Sequence, residues 1–301
     1  MRHYIWMMVL CMVCLQMGGT AQAQTKQIEK PSLMTAADLA TLPVPEPDYK
    51  IPYGRDMDMR GELWLPKGWA DLPALPVIMF IHGGCWYQEY DIKHTRFLTR
   101  KLADQGFAVW SVEYRRIGHP NGGWPNSFDD IAKAGDYLKT LAAVFKLDIK
   151  RFIVSGHSAG GHMALWYANR PPRFKGKDPL IPSAVLAMAP AADLTHMAAQ
   201  KTCGNAAFKL MGGSPDKYPN RYKHADTALR PVKGIAQTIF IGAHDTVWTP
   251  VAQRYINVLE KEKISHTVVK APMSGHFEMV DPRTSTWPLL LKAFQTLSEK
   301  K

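Results

Sequence analysis

The chain predicts an α/β protein, a mostly parallel central sheet covered by helices on both faces. Two observations carry that prediction. From about residue 61, apolar β-branched runs of strand length alternate with longer runs of helical period. Within 61–301 there is neither an internal repeat nor a linker, and a 46% hydrophobic, 21% charged composition over 301 residues is enough for one large core.

The elements follow in order. Residues 1–23 read as a signal peptide: Arg2 is a short basic start, Ile5 to Leu15 an apolar run, and Ala21-Gln22-Ala23 a small-x-small cleavage pattern. That run falls well short of the ~20 residues a membrane span needs. Neither Cys11 nor Cys14 sits in a lipoprotein arrangement. Cleavage after Ala23 predicts a periplasmic or secreted protein, with no stable membrane insertion afterwards. Residues 24–60 hold Pro31, Pro43, Pro45, Pro47 and Pro52 with little periodicity, and read as a tethering segment ahead of a catalytic domain at 61–301.

Strands are predicted at Val77–Ile81, Ala108–Val112, Phe152–Val154, Ala184–Met188, Ile239–Ile241 and Thr267–Val269. The clearest helix begins at Ser127, where Ser127 and Asp130 have capping-box spacing. Ile131, Ala134, Leu138, Leu141, Ala142 and Phe145 then fall on one helical face. Further helices are expected over His94–Gln105, Gly160–Asn169, Pro250–Lys261 and Thr286–Leu297. The weakly patterned stretch 190–236 is expected to form a small cap, of no derivable conformation.

The formal net charge is +11, and +10 once Arg2 leaves with the leader (36 − 26). The basic residues are scattered without a dense run, so the charge points to solubility rather than nucleic-acid binding. Of four cysteines, Cys85 and Cys203 remain after cleavage; in an oxidising compartment they could pair, and the sequence leaves this open. Their spacing fits no zinc pattern, and no HExxH or carboxylate cluster is present, so neither metal nor cofactor is expected.

The chemistry concentrates in three places. Gly156-His157-Ser158-Ala159-Gly160 fits G-x-S-x-G between a predicted strand and a predicted helix. A strand-to-helix turn that sharp strains the serine backbone, and side chains two residues to either side would collide. A serine hydroxyl needs a base. His276 follows the last predicted strand and Asp245 the one before, in the chain order Ser, Asp, His. Both loops belong at the sheet edge that carries Ser158. The third place is His82-Gly83-Gly84-Cys85-Trp86, just after Val77–Ile81. There the N–H groups of Gly83 and Gly84, with that of Ala159, are expected to receive an oxyanion.

Together, HGGCW (82–86), SVEYR (111–115), GWPNSFDDI (123–131), GHSAGGHMALW (156–166) and SGHF (274–277) resemble the α/β-hydrolase superfamily. They are most similar to its hormone-sensitive-lipase, feruloyl-esterase-like and kynurenine-formamidase branches. The resemblance covers roughly 61–301 and implies the α/β-hydrolase fold, a Ser158-His276-Asp245 triad and a small-molecule ester substrate. Cys85 departs from the pattern, since esterases often carry glycine there and formamidases tyrosine. An arylformamidase acting on N-formylkynurenine is the alternative reading, although export counts against it. An exopeptidase lacks the propeller-like domain expected before it, and a non-catalytic binder would usually have lost a triad residue. His157 and His162, on opposite sides of the turn, are read as packing or capping residues. Trp86, Tyr87, Trp124, Trp248 and Phe277 are candidates either for a pocket or for the core.

Overall fold

The computed structural model describes residues 32–299, so the signal peptide read at 1–23 lies outside the described residues. The strands are β1 (Tyr49–Pro52), β2 (Arg60–Trp64), β3 (Leu75–Ile81), β4 (Ala108–Val112), β5 (Leu147–His157), β6 (Ala184–Met188), β7 (Ala236–Gly242) and β8 (Thr267–Ala271). They form one sheet in the order β1-β2-β4-β3-β5-β6-β7-β8. The β1–β2 and β2–β4 pairs are antiparallel, and every other pair is parallel. Around the sheet lie α1 (Arg96–Asp104), α2 (Asn126–Asp136), α3 (Leu138–Phe145), α4 (Ala159–Ala168), α5 (Leu194–Ala199), α6 (Thr202–Met211), α7 (Pro219–Ala225), α8 (Trp248–Lys261) and α9 (Trp287–Ser298).

Strand alternation divides the interior into two cores. Along β3, Val77, Met79 and Ile81 enter one, with residues of α2, α3, α4 and α8. Ile78 and Phe80 enter the other, with Leu98 and Leu102 of α1 and Leu290, Phe294 and Leu297 of α9. Burial on both faces explains why the central strands read as continuous apolar runs. β1 and β2 escaped the sequence reading because they lie at one edge and are partly charged: Lys50, Arg60 and Glu62 stand in them. Glu62 is nevertheless buried, its carboxylate held by Arg96 at 2.6 Å.

Three expectations change. Ser127 and Asp130 do not form a capping box: the Ser127 hydroxyl donates to the Arg115 carbonyl, and Asp130 accepts from Arg115 Nε at 2.8 Å and Nη2 at 2.6 Å. An ion pair to a neighbouring loop outcompetes the local cap. The single helix expected over 127–145 is divided at Tyr137 into α2 and α3. From Leu33 onward the proline-rich segment belongs to the same compact unit as the rest. Leu39 and Leu42 are buried in the second core, and the Asp48 carboxylate accepts the Leu65 N–H at 2.8 Å.

The stretch 190–236 folds as α5, α6 and α7. α6 opens with a left-handed turn: Lys201, Cys203, Gly204 and Asn205 have φ of 52°, 52°, 63° and 65°. Each L-residue held there costs roughly 1 kcal/mol, least for asparagine, so the turn needs an external restraint. Cys203 supplies it, by a disulfide to Cys85 with the Cα atoms 6.4 Å apart. This answers the question that the cysteine count left open.

Candidate active site

Ser158 sits between β5 and α4 at φ 57°, ψ −118°, a conformation that non-glycine residues rarely adopt. The surrounding backbone over-determines it. The Ser158 N–H donates to the Met188 carbonyl at 2.8 Å, and its own carbonyl accepts from His162 and Ala191, both at 3.1 Å. The flanking glycines are required for space. A Cβ on Gly160 would lie 2.0 Å from the Ile81 carbonyl oxygen, and one on Gly156 would lie 2.4 Å from that of Gly160. β3 presses against the turn so closely that no side chain fits at either glycine.

Asp245 and His276 come together as the spacing predicts. His276 Nδ1 donates to Asp245 Oδ2 at 2.7 Å, which leaves Nε2 as the acceptor nitrogen. Asp245 is fixed in turn, since its Oδ1 accepts the Trp248 N–H at 2.8 Å and that of Val247 at 3.2 Å. The Trp248 ring stacks on His276 with centroids 5.2 Å apart. Ser158 and His276 line one cavity of about 150 Å³, which Gly84 also enters.

Gly83 and Gly84 lie beside the elbow: a Cβ on Gly83 would be 3.1 Å from the Ser158 Cβ. Gly84 has φ +106°, open to glycine and costly for any other residue. Among the described residues, no acceptor takes the N–H of Gly83, Gly84 or Ala159. Ala159 is the first residue of α4, so its N–H stands at the positive end of that helix.

Beneath this loop is a buried charged group that the sequence reading did not assign. His82 Nδ1 lies 2.8 Å from the Gly83 carbonyl oxygen, and its Nε2 lies 2.8 Å from Glu113 Oε1. Arg116 pairs with the same Glu113 oxygen. Burial pushes the Glu113 carboxyl up, but His82 and Arg116 prevail and hold it at about 2. An anion fixed there anchors the main chain that carries Gly83. HGG and SVEYR each lie at the end of a predicted strand, which was the available signal, but only the β3–β4 pairing brings them together.

His157 packs on His276 and Phe277, as expected, and also lines the cavity. Its Nε2 donates to the His276 carbonyl at 2.9 Å, with the two rings 4.4 Å apart. Burial first, and then the neighbouring His276, press its pKa well below the usual histidine range, so it is neutral. His162 is the core residue expected: Trp86 and Phe128 pack on it, and its Nε2 donates to the Ala225 carbonyl at 2.9 Å. Of the aromatic candidates, Trp248 and Phe277 line the cavity, while Trp86 is buried and Trp124 packs on Phe128 and Phe174. Tyr87 donates its hydroxyl to the Gly204 carbonyl at 2.9 Å. Ala36 and Leu39 of the N-terminal segment complete the lining, as no sequence signal indicated.

Among the described residues, no group of three or more His, Cys, Asp or Glu side chains is arranged to hold a metal ion. No described helix is long and apolar enough to cross a membrane.

A family model described as BD-FAE matches residues 62–247, more than half of the 301. Esterase LipC of Mycobacterium tuberculosis is 30% identical over 115 residues, 38% of this chain and 28% of LipC. The chain thus spans well under two thirds of that relative's length. Among solved structures, esterase B of Lactobacillus rhamnosis (HN001) superposes with a TM-score of 0.73 at 19% identity, over 87% of this chain and 90% of the other. A truncated carbohydrate esterase from gut microbiota gives 0.70 at 21%, over 83% and 95%. These likenesses establish the α/β-hydrolase fold.

Proposed function

This chain belongs to the BD-FAE family, and on that premise we propose that it is a serine esterase, exported from the cytoplasm, that cleaves carboxylic esters of small molecules through an acyl-enzyme. The observation that carries the reading is the junction of two independently built parts in one cavity. One is a serine at a strained strand-to-helix turn; the other is a histidine whose tautomer Asp245 sets from 2.7 Å. The three matched proteins described above are each named an esterase, which supports the same substrate class.

In this reading His276 Nε2 takes the proton as Ser158 Oγ attacks the ester carbonyl. The carbonyl oxygen gains the charge and is received by the unclaimed N–H groups of Gly83, Gly84 and Ala159. Collapse returns the proton through His276 to the departing alcohol and leaves the acid on Ser158 as an ester. Water, activated by the same His276, then releases the acid and restores the serine. Asp245 keeps Nδ1 protonated throughout and stabilises the imidazolium that forms twice in each cycle.

The test is hydrolysis of p-nitrophenyl acetate, longer p-nitrophenyl esters and N-formylkynurenine, beside Ser158→Ala. Ester turnover that falls about 10⁴-fold or more in the variant is the expected result. Turnover unchanged by the substitution, or absent from the native protein, would overturn the reading.

A further inference from the structure

The Cys85–Cys203 disulfide belongs to the cavity as much as to the scaffold. Cys85 directly follows Gly84, both cysteines line the cavity with Ser158 and His276, and the bridge joins chain positions 118 residues apart. We propose that this disulfide is the specificity-determining wall of the cavity: it holds α6 against the oxyanion loop and so limits the ester that fits beside Ser158. The inference rests on the esterase reading above.

The backbone at both ends explains why the bridge sets the wall. At one end Cys85 and Trp86 have φ of 50° and 60°, and at the other Lys201, Cys203, Gly204 and Asn205 are all left-handed. L-residues leave such conformations when nothing restrains them. Two restraints act on the α6 turn, the disulfide and the Tyr87 hydroxyl bond to the Gly204 carbonyl, and both come from the segment just after Gly84. Two bonded sulfurs also sit far closer than two thiols in van der Waals contact. Opening the bridge therefore separates the oxyanion loop from α6 and lets the first turn of α6 relax away from the cavity. The floor of the site depends on neither end, because Ser158, Asp245 and His276 are held by their own strand-end loops.

The separable consequence is a change in preference without loss of the chemistry. We compare kcat and KM for p-nitrophenyl acetate, butyrate and octanoate in the native protein, in the C85A/C203A variant, and in native protein reduced with a phosphine and then reoxidised. The octanoate-to-acetate ratio of kcat/KM is expected to rise about tenfold when the bridge is absent, mainly through KM, the scale of a one- or two-methylene change in an apolar pocket. Reoxidation is expected to restore the native ratio, and Tyr87→Phe to move it in the same direction by less. Equal loss on all three esters would overturn the proposal and leave the bridge a folding staple. So would loss of all activity together with the near-ultraviolet circular dichroism of the reduced protein. Native protein that turns over no ester overturns the esterase reading and this inference with it; native activity with an unmoved ratio overturns this inference alone.

Discussion

Ser158, Asp245 and His276 stand in the loops beyond the carboxyl ends of β5, β7 and β8, whereas another part of the cavity lining comes from Ala36 and Leu39, the Cys85–Cys203 bridge and Tyr90. The first region inherits its positions from four consecutive hydrogen-bonded parallel strands, β5-β6-β7-β8, each registered against its neighbour. The second has no such frame. Its parts are a short segment before the sheet, a loop and a cap helix, brought together by tertiary packing and one covalent bond. The contrast teaches where change is tolerated. On the esterase reading, chemistry depends on the strand-end frame, while fit depends on additions that can be altered singly.

The comparison is broken most severely at the frame. Asp245→Asn preserves size and the two backbone bonds to Oδ1, but offers an N–H where His276 Nδ1 donates. The imidazole must then turn to the other tautomer, and kcat is expected to fall about 10⁴-fold with KM little changed. Steady-state kinetics with a short ester would show this. A loss under tenfold would mean that the frame does not set the tautomer.

A smaller effect is expected on the added wall. Leu39 is buried in the second core and also lines the cavity, so Leu39→Ala shortens one side chain in both places. Stability should fall by about 2–3 kcal/mol in denaturant unfolding, and the longest ester accepted should increase at nearly unchanged kcat for acetate. Equal slowing on every ester would place Leu39 in the scaffold alone.

The smallest effect is on the pH dependence of stability, through buried histidines of which His94 and His157 also line the cavity. Burial holds His94 at about 4, with His82 adding to it, and burial alone does the same to His162, against 6.5 in the unfolded chain. The unfolded chain therefore binds protons between pH 6.5 and 4 that the folded one refuses. Their stabilising contribution is complete above 6.5 and is lost as the pH falls towards 4. Asp226 acts oppositely, since burial raises it from 3.8 to about 6 and acid then favours the folded state. With His157 also depressed, the histidines outnumber it, and unfolding free energy should decrease on acidification across this window. His162→Gln, which can still donate to the Ala225 carbonyl, should make the slope shallower; an unaltered slope would remove His162 from the account.

The same division decides what could be read from residues alone. Val77–Ile81 and Ala184–Met188 announced themselves because strands buried on both faces are apolar throughout. Ser158 was legible because its steric demands fall on Gly156 and Gly160, two positions away. Asp245 and His276 followed from chain order. Ser127 misled because its cap competes with Arg115, a partner 12 residues away that local spacing does not show. Leu39 and Cys203 were illegible as cavity residues for a related reason: nothing local ties residue 39 or 203 to Ser158, and a left-handed helix start has no periodicity to detect.

The hydrogen bond from His157 Nε2 to the His276 main-chain carbonyl has one more consequence. It ties the residue before Ser158 to the backbone of His276, so the alignment of the two does not rest on the Ser158 hydroxyl alone. On the esterase reading, the site is thereby assembled before substrate arrives, and little reorganisation is left for the reaction to drive. On the same reading, a protein stripped of that hydroxyl would keep its histidine in place, a receptor that binds the ester and stops there.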